Sequence, residues 1–355
     1  MLPSSSPEVY GSVVREEDDD AELAGDAEAP LALRFSVAVS ESGERLDKML
    51  ATRMPVLSRS RLKQWIEGGA VRVNGSEVRP RHAMAAGDLV EIEPRPPPEA
   101  TAFTAEAMAL DIVYEDDALI VIDKPPGLVV HPAAGHWSGT LLNGLLAHDA
   151  TLAELPRAGI VHRLDADTSG LMVVARTLRA HTELVRQLQA RTVRREYWAI
   201  VLGEPRASGT IDAPIGRDPR NPLRFRVSHA ANARAARTYY ARIATQRHDE
   251  ATLSWLSLRL ETGRTHQIRV HCEYIGHPLI GDPVYRRRLP QRAAAIPWRA
   301  FQRQALHACQ LGLQHPLSGA AMQWFRAPPA DLAELMGSLQ FGPIDRPLGG
   351  RGAQQ

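Results

Sequence analysis

Apolar positions along the chain fall into short runs bounded by turn residues, some spaced as helices and some alternating as strands. "ERLDKMLATR" and "SRSRLKQWIEGG" read as two short helices. In the second, Ser58 or Ser60 can cap the start, Leu62, Trp65 and Ile66 form an apolar face, and Gly68-Gly69 ends it. "AVRVNGSEV" then alternates about Asn74-Gly75, a strong short hairpin signal, and "GDLVEIEP" adds a strand. These segments predict a small α+β unit over residues 34 to 94. "PRPPPEATAFTAEAMA", rich in proline, predicts a linker over 95 to 109.

A larger domain is expected from 110 to 340. Its strand candidates are "LDIVYEDDALIVIDK", "AGIVHRL", "GLMVVAR", "REYWAIVLG", "ARTYYARIA" and "ATLSWLSLRLET". Helices are expected at "LLNGLLAHD", "LRAHTELVRQLQAR" and "THQIRVHCEYIG". Strand runs follow one another without regular β-α-β alternation. The fold class is therefore α+β, with a mixed, mostly antiparallel sheet flanked by helices.

One stretch breaks the apolar pattern. "GIVHRLDADTSGLMVVART" places His162, Arg163, Asp165 and Asp167 between "GIV" and "LMVVA". Ionisable groups there are costly if buried and unpaired. The reading is a turn at a strand end, with Asp165 held on rigid structure and open to a cleft. Farther along, "LETGRTHQIRVH" supplies Arg264 and Arg269, and a helix is expected to start near Thr265. An arginine at one strand end can reach a carboxylate at another, and such a partner lowers a carboxyl pKa by about 1–3 units. Tyr197 in "REYWAIVLG" offers an aromatic face on which a base can stack.

Charge refines the picture. The net +1 conceals an acidic arm: residues 1 to 33 hold nine acids against Arg15, so they carry −8 and the remainder +9. The arm is expected to be disordered, and the last residues, 341 to 355, a loose tail. Residues 44 to 82 hold nine bases against four acids. Arg59, Arg61 and Lys63 fall on one short helix and Arg72 on the hairpin, a plausible phosphate-tracking surface. The two cysteines, Cys272 and Cys309, fit a reducing compartment, and neither an apolar span of membrane length nor a signal-type leader is evident. The expected location is the cytoplasm.

Rival chemistries fit less well. "DADT" at 165 to 168 matches a phosphatase motif, but His162 and Arg163 interrupt the strand it needs, and "GDPVY" lacks a second acid for Mg²⁺. A calcium loop fails because Ser169 replaces the third acid. His266, His271, Cys272 and His277 match no standard zinc spacing. No phosphate loop or dinucleotide fingerprint is present, so neither a metal nor a cofactor is expected.

Taken together, "DKPPGLVVHP" (123 to 132), "RAGIVHRLDADTSGLMVVART" (157 to 177), "REYWAIV" (195 to 201), "LRLETGRTHQIRVH" (258 to 271), "HPLIGDPVY" (277 to 285) and "RQALHACQLGLQHP" (303 to 316) resemble the RluA family of RNA pseudouridine synthases, most closely its large-subunit ribosomal D-type members. The unit at 34 to 94 resembles the alpha-L (ribosomal S4-type) RNA-binding module. The alanine in "HPAAGHWSG" departs from the glycine often found there, and the acidic arm lies outside the family pattern.

The resemblance implies that uridine in RNA is isomerised to pseudouridine without a cofactor. The C1′–N1 bond breaks, the uracil turns, and C5 joins C1′. The catalytic carboxylate maps to Asp165. Whether it attacks the sugar, adds to the base or takes the 2′ proton stays open. The family tyrosine, packed on the uracil, maps to Tyr197. The arginine that pairs with the carboxylate maps to Arg264, the apolar residue beneath the base to Ile268, and an arginine holding RNA around the flipped nucleotide to Arg163. His162 and Thr168 complete the expected substrate contacts. The implied partner is large-subunit ribosomal RNA or its precursor particle, bound by a monomer without membrane association. The alternatives are a synthase acting on transfer RNA, or a non-catalytic RNA-binding or ribosome-assembly factor.

Overall fold

The computed structural model describes residues 33–95, 102–133, 135–248, 251–286 and 297–342. The expected acidic arm up to residue 32, part of the linker, and the tail from residue 343 lie outside the described residues. The chain divides into two units, Met1–Pro97 and Pro98–Gln355.

In the first unit, strands β1 (Leu33–Ser36), β2 (Val71–Val73), β3 (Ser76–Glu77) and β4 (Leu89–Ile92) form an antiparallel sheet in the order β1-β4-β2-β3. Helices α1 (Leu46–Arg53) and α2 (Arg59–Glu67) share its core, with Leu46, Met49, Leu50, Leu62, Trp65 and Ile66 buried together. Ser58 caps α2 by accepting the Arg61 N–H at 3.3 Å. Asn74 and Gly75 both take positive φ, 51° and 77°, as the tight turn between β2 and β3 requires. Strand β1 went unread, since "LRFS" is too short to show a period.

The second unit carries β5 (Ile112–Glu115), β6 (Leu119–Lys124), α3 (Leu141–His148), β7 (Ser169–Ala175), α4 (Leu178–Gln189), β8 (Arg194–Leu202), β9 (Ser208–Asp212), β10 (Ile215–Asp218), β11 (Asn221–Val227), β12 (Arg237–His248), β13 (Ala251–Leu260), α5 (Gln267–Tyr274), α6 (Pro297–Ala300), β14 (Leu306–Gln314), β15 (Ala321–Phe325) and α7 (Ala330–Ser338). Its nine-stranded sheet runs β5-β6-β7-β14-β8-β13-β12-β9, with β15 beside β14. Among the described strands only β7 and β14 pair in parallel, so the sheet is mixed and mostly antiparallel.

Alternation along β8 sorts the two faces. Tyr197, Ala199 and Val201 join a core with α3 and α5, whereas Trp198 and Ile200 join one with α7. Strand β7 is buried along its whole length, being covered on both faces, and so reads as a continuous apolar run.

Two expectations are corrected. "AGIVHRL" is not a strand. Residues Pro156–Gly159 form a tight turn in which Arg157 and Ala158 take left-handed backbone, φ 53° and 50°, and Ile160 makes a single bridge to Val174. The His162 ring accepts the Val173 N–H at 3.1 Å, so an imidazole stands where a strand carbonyl would have bonded. Nor is the stretch from 102 to 109 a free linker. Asn143 on α3 donates to the carbonyls of Ala102 and Thr104, and its own carbonyl accepts the Glu106 N–H.

Buried imidazoles set an acid limit on this fold. His307 accepts from Ser169 Oγ at Nδ1 (3.0 Å) and donates from Nε2 to the Arg326 carbonyl (3.1 Å), and burial pushes its pKa down to about 4. Burial, aided by the Arg195 charge, pushes His162 to about 3. Both protonate near 6.5 once unfolded, so the unfolded chain binds more protons below that value. Stability is expected to fall as pH drops from about 6.5 towards 4. Asp123, raised to about 6 by burial and the nearby Asp111 charge, opposes part of this. Denaturant midpoints at successive pH values check the window, and His307→Gln should flatten the slope.

Candidate active site

Asp165 lies in the turn that leads into β7. The turn closes with the Thr168 N–H on the Asp165 carbonyl at 3.0 Å. Two distant segments grip it. Lys124, fully buried at the end of β6, donates to the carbonyls of Pro125 (2.7 Å), Leu128 (2.9 Å) and Ala166 (2.7 Å). Arg303 donates to the Asp167 carbonyl at 3.0 Å while held by both oxygens of Asp331. Gln304 donates to Thr168 Oγ1 at 3.1 Å. Burial pushes the Lys124 pKa down to about 7, opposed chiefly by the Asp167 and Asp165 charges. The carboxylate therefore stands on a turn whose carbonyls are largely spoken for, the rigid placement a reacting group needs.

The arginine on Asp165 is Arg269, not Arg264. Arg269 Nη1 lies 3.0 Å from Asp165 Oδ2. Its other edge is held by Asp282, Nε at 2.7 Å and Nη2 at 3.0 Å. The Asp282 side chain is fully buried, and its Oδ1 also accepts the N–H groups of Val284 and Tyr285. Arg264, in the loop ahead of α5, donates from its backbone N–H to Gln267 Oε1 and from Nε to the Ala235 carbonyl. Position at the strand end favoured Arg264. The helix, starting at Gln267, instead carries Arg269 into the core beside Asp165.

A second group approaches the same carboxylate. His266 takes a left-handed backbone, φ 55°. Its Nε2 is 4.0 Å from Asp165 Oδ1, and its Nδ1 is 3.0 Å from the Tyr285 hydroxyl. Tyr285 is fully buried and accepts the Phe225 N–H at 2.9 Å. Its own proton can then go to His266 Nδ1, the tautomer that puts the histidine proton on Nε2, facing Asp165. Burial lowers the His266 pKa, which keeps the ring neutral.

Tyr197 and Ile268 are buried in one apolar cluster, on β8 and α5. Burial raises the Tyr197 pKa; the Arg195 charge opposes this and the Asp165 charge adds to it, so the phenol stays protonated beside the carboxylate. Arg163 is exposed, and its charge is felt at His266. Thr168 is corrected as a substrate contact: it is 2% exposed and holds Gln304 inside the turn. The residues weighed for zinc have other partners: His271 bonds Thr238 and Ala213, His277 bonds the Leu202 carbonyl, and Cys272 is buried in the apolar cluster. In the first unit, Arg59, Lys63 and Arg72 are exposed, Lys63 lying 3.6 Å from Glu67, and Arg61 stacks on Trp65 at 5.5 Å.

Sequence reading missed Lys124, His266, Asp282, Tyr285 and Arg303 as parts of the site. Their signal was a charged or polar residue within or closing an apolar run, as in "LIVIDK" and "HPLIGDPVY".

An ionised pair on a braced turn, beside a tyrosine and an apolar floor, is a site for a flat, uncharged ring held next to a carboxylate. Comparison with known proteins identifies the family. Residues 118–274 match the family model described as RNA pseudouridylate synthase, and residues 44–90 match the S4 domain. A Nitrosomonas europaea protein named ribosomal large subunit pseudouridine synthase D is 46% identical over 332 residues, covering 93% of this chain and 95% of its own. A Pseudomonas aeruginosa protein of the same name is 49% identical over 303 residues, covering 84% and 92%. Among solved structures, human RNA Pseudouridylate Synthase Domain Containing 1 superposes with a TM-score of 0.49 at 24% identity, over 67% of this chain and 97% of that one. The chain belongs to the RNA pseudouridine synthase family, with an S4 domain ahead of the catalytic fold. It is accordingly an isomerase that acts on uridine in RNA.

Proposed function

We propose that this enzyme forms pseudouridine in large-subunit ribosomal RNA. The supporting observation is likeness at 46% and 49% identity, over 93% and 84% of this chain, to two proteins named for that substrate. In this reading Asp165 is the catalytic carboxylate and Arg269 its electrostatic support. Tyr197 packs on the extruded uracil, Ile268 lies beneath it, and Arg163 holds the RNA around the vacated position. Extruding a nucleotide costs a few kcal/mol, and phosphate contacts offset it. Arg59, Arg61, Lys63 and Arg72 supply such contacts from an RNA-binding domain over 34–94, ahead of a catalytic domain over 110–340. The enzyme works as a cytoplasmic monomer on the RNA or its precursor particle. No helix among the described residues is long and apolar enough to cross a membrane.

The test is to map pseudouridines in total RNA from cells with and without this chain. Loss confined to large-subunit ribosomal RNA is expected, with restoration when purified protein acts on the unmodified transcript. Loss confined to transfer RNA, or no loss, overturns the substrate assignment.

A further inference from the structure

Arg195 is nine-tenths buried, yet its side chain makes no hydrogen bond or ion pair among the described residues, and its Nε is shut off from solvent. A buried N–H without an acceptor is costly. Arg195 stands two residues before Tyr197 on β8, so both side chains leave the same face of the sheet. That face carries Ile268, Leu258 and the rest of the cluster behind Asp165. The guanidinium reaches the loop ahead of α5: a Cβ on Gly263 would lie 2.9 Å from Arg195 Nη1. Glycine there leaves room for the arginine.

His162 presents a matching vacancy. Its Nε2 accepts the Val173 N–H, so the proton of the neutral ring is on Nδ1. That Nδ1 is buried and has no acceptor. The Arg195 charge contributes to keeping this ring neutral and also acts on Tyr197, so the three side chains share one neighbourhood. Two buried donors, Arg195 Nε and His162 Nδ1, thus have no protein acceptor among the described residues, and the Arg195 charge acts on both His162 and Tyr197.

We propose that Arg195 and the Nδ1–H of His162 grip a carbonyl oxygen of the target uracil while it is detached from the ribose. The proposal rests on the pocket being the uridine site. An RNA phosphate offers the same acceptor chemistry, but a backbone phosphate tracks the surface, whereas an extruded base is the part of RNA that goes deep. When C1′–N1 breaks, its electron pair stays on the uracil and spreads over N1, O2 and O4. When C1′–C5 forms, the C5 proton leaves and N1 gains one, so the overall change is an isomerisation. Donors fixed on a carbonyl oxygen favour the detached anion over the attached base.

Arg195→Met and Arg195→Lys test this in single-turnover reactions at saturating RNA. Arg195→Met should slow pseudouridine formation about 100-fold, the size of effect that losing one fixed oxyanion donor has. Its RNA affinity should stay within about twofold of the parent, and Arg195→Lys should recover part of the rate. RNA carrying 2-thiouridine or 4-thiouridine at the target replaces one carbonyl oxygen with a weaker acceptor. One of the two should slow the parent enzyme more than it slows Arg195→Lys, a coupling that a merely structural arginine would not produce.

An undiminished rate in folded Arg195→Met overturns the proposal. So does weaker RNA binding with the salt slope reduced by about one and the saturated rate intact, which marks a phosphate contact. Should Arg195→Met fail to fold, equal thio effects in the parent and Arg195→Lys overturn it. A parent enzyme that makes no pseudouridine at all refutes the functional reading itself, and that result is distinct from these.

Discussion

Asp165→Asn is expected to reduce pseudouridine formation by about 10⁴-fold or more, the loss typical of removing a group that acts within a catalytic unit. The fold should survive the change. Arg269 keeps both of its bonds to Asp282, so no buried guanidinium is stranded. The turn keeps its shape because its supports from Lys124 and Arg303 reach backbone carbonyls, not the carboxylate. RNA affinity should stay near that of the parent. Nucleoside analysis of reacted RNA, run beside a binding titration, checks both halves. Retained turnover would remove Asp165 from the chemistry. Lost binding together with lost turnover would give it a structural role instead.

Arg269→Met should have the largest effect on stability, with a matching loss of activity. It removes the guanidinium that pairs with Asp165 and leaves the Asp282 carboxylate buried with the backbone N–H groups of Val284 and Tyr285. Breaking a buried pair by deleting one member costs about 3–5 kcal/mol. The same replacement at Arg264, which lies in a partly exposed loop, should cost within about 1 kcal/mol. Denaturant unfolding of the two variants decides between them, and single-turnover assays on whatever remains folded give the activity. The reverse ranking would restore Arg264 to the place that strand-end reasoning gave it.

The contrast between these two arginines shows where sequence was legible. Local rules worked where one face meets water. The Asn74-Gly75 turn, the Ser58 cap and the apolar face of α2 all follow from them. They failed where an element is enclosed. Six consecutive residues of α5, Gln267 to Cys272, are buried, so no amphipathic stripe marks which way Arg269 points. Strand β14 lies between β7 and β8 with β15 beside it, and a fully enclosed strand shows no alternation to read. "AGIVHRL" misled for the opposite reason. It has the apolar content of a strand, yet a side chain takes the hydrogen bond that its backbone would have made. Asp165 stood out because a carboxylate amid apolar residues needs explaining. Its supports did not stand out, since each sits more than 35 residues away along the chain.

That separation has a consequence for how the enzyme comes into being. Lys124 leaves the ribosome before the turn it will hold, but Arg303 and Gln304 emerge well over a hundred residues after Asp165. A nascent chain halted between them has the Asp165 turn, yet lacks two of the anchors that fasten it. The turn around Asp165 is thus fastened only after residues 303 and 304 have emerged and folded back onto it.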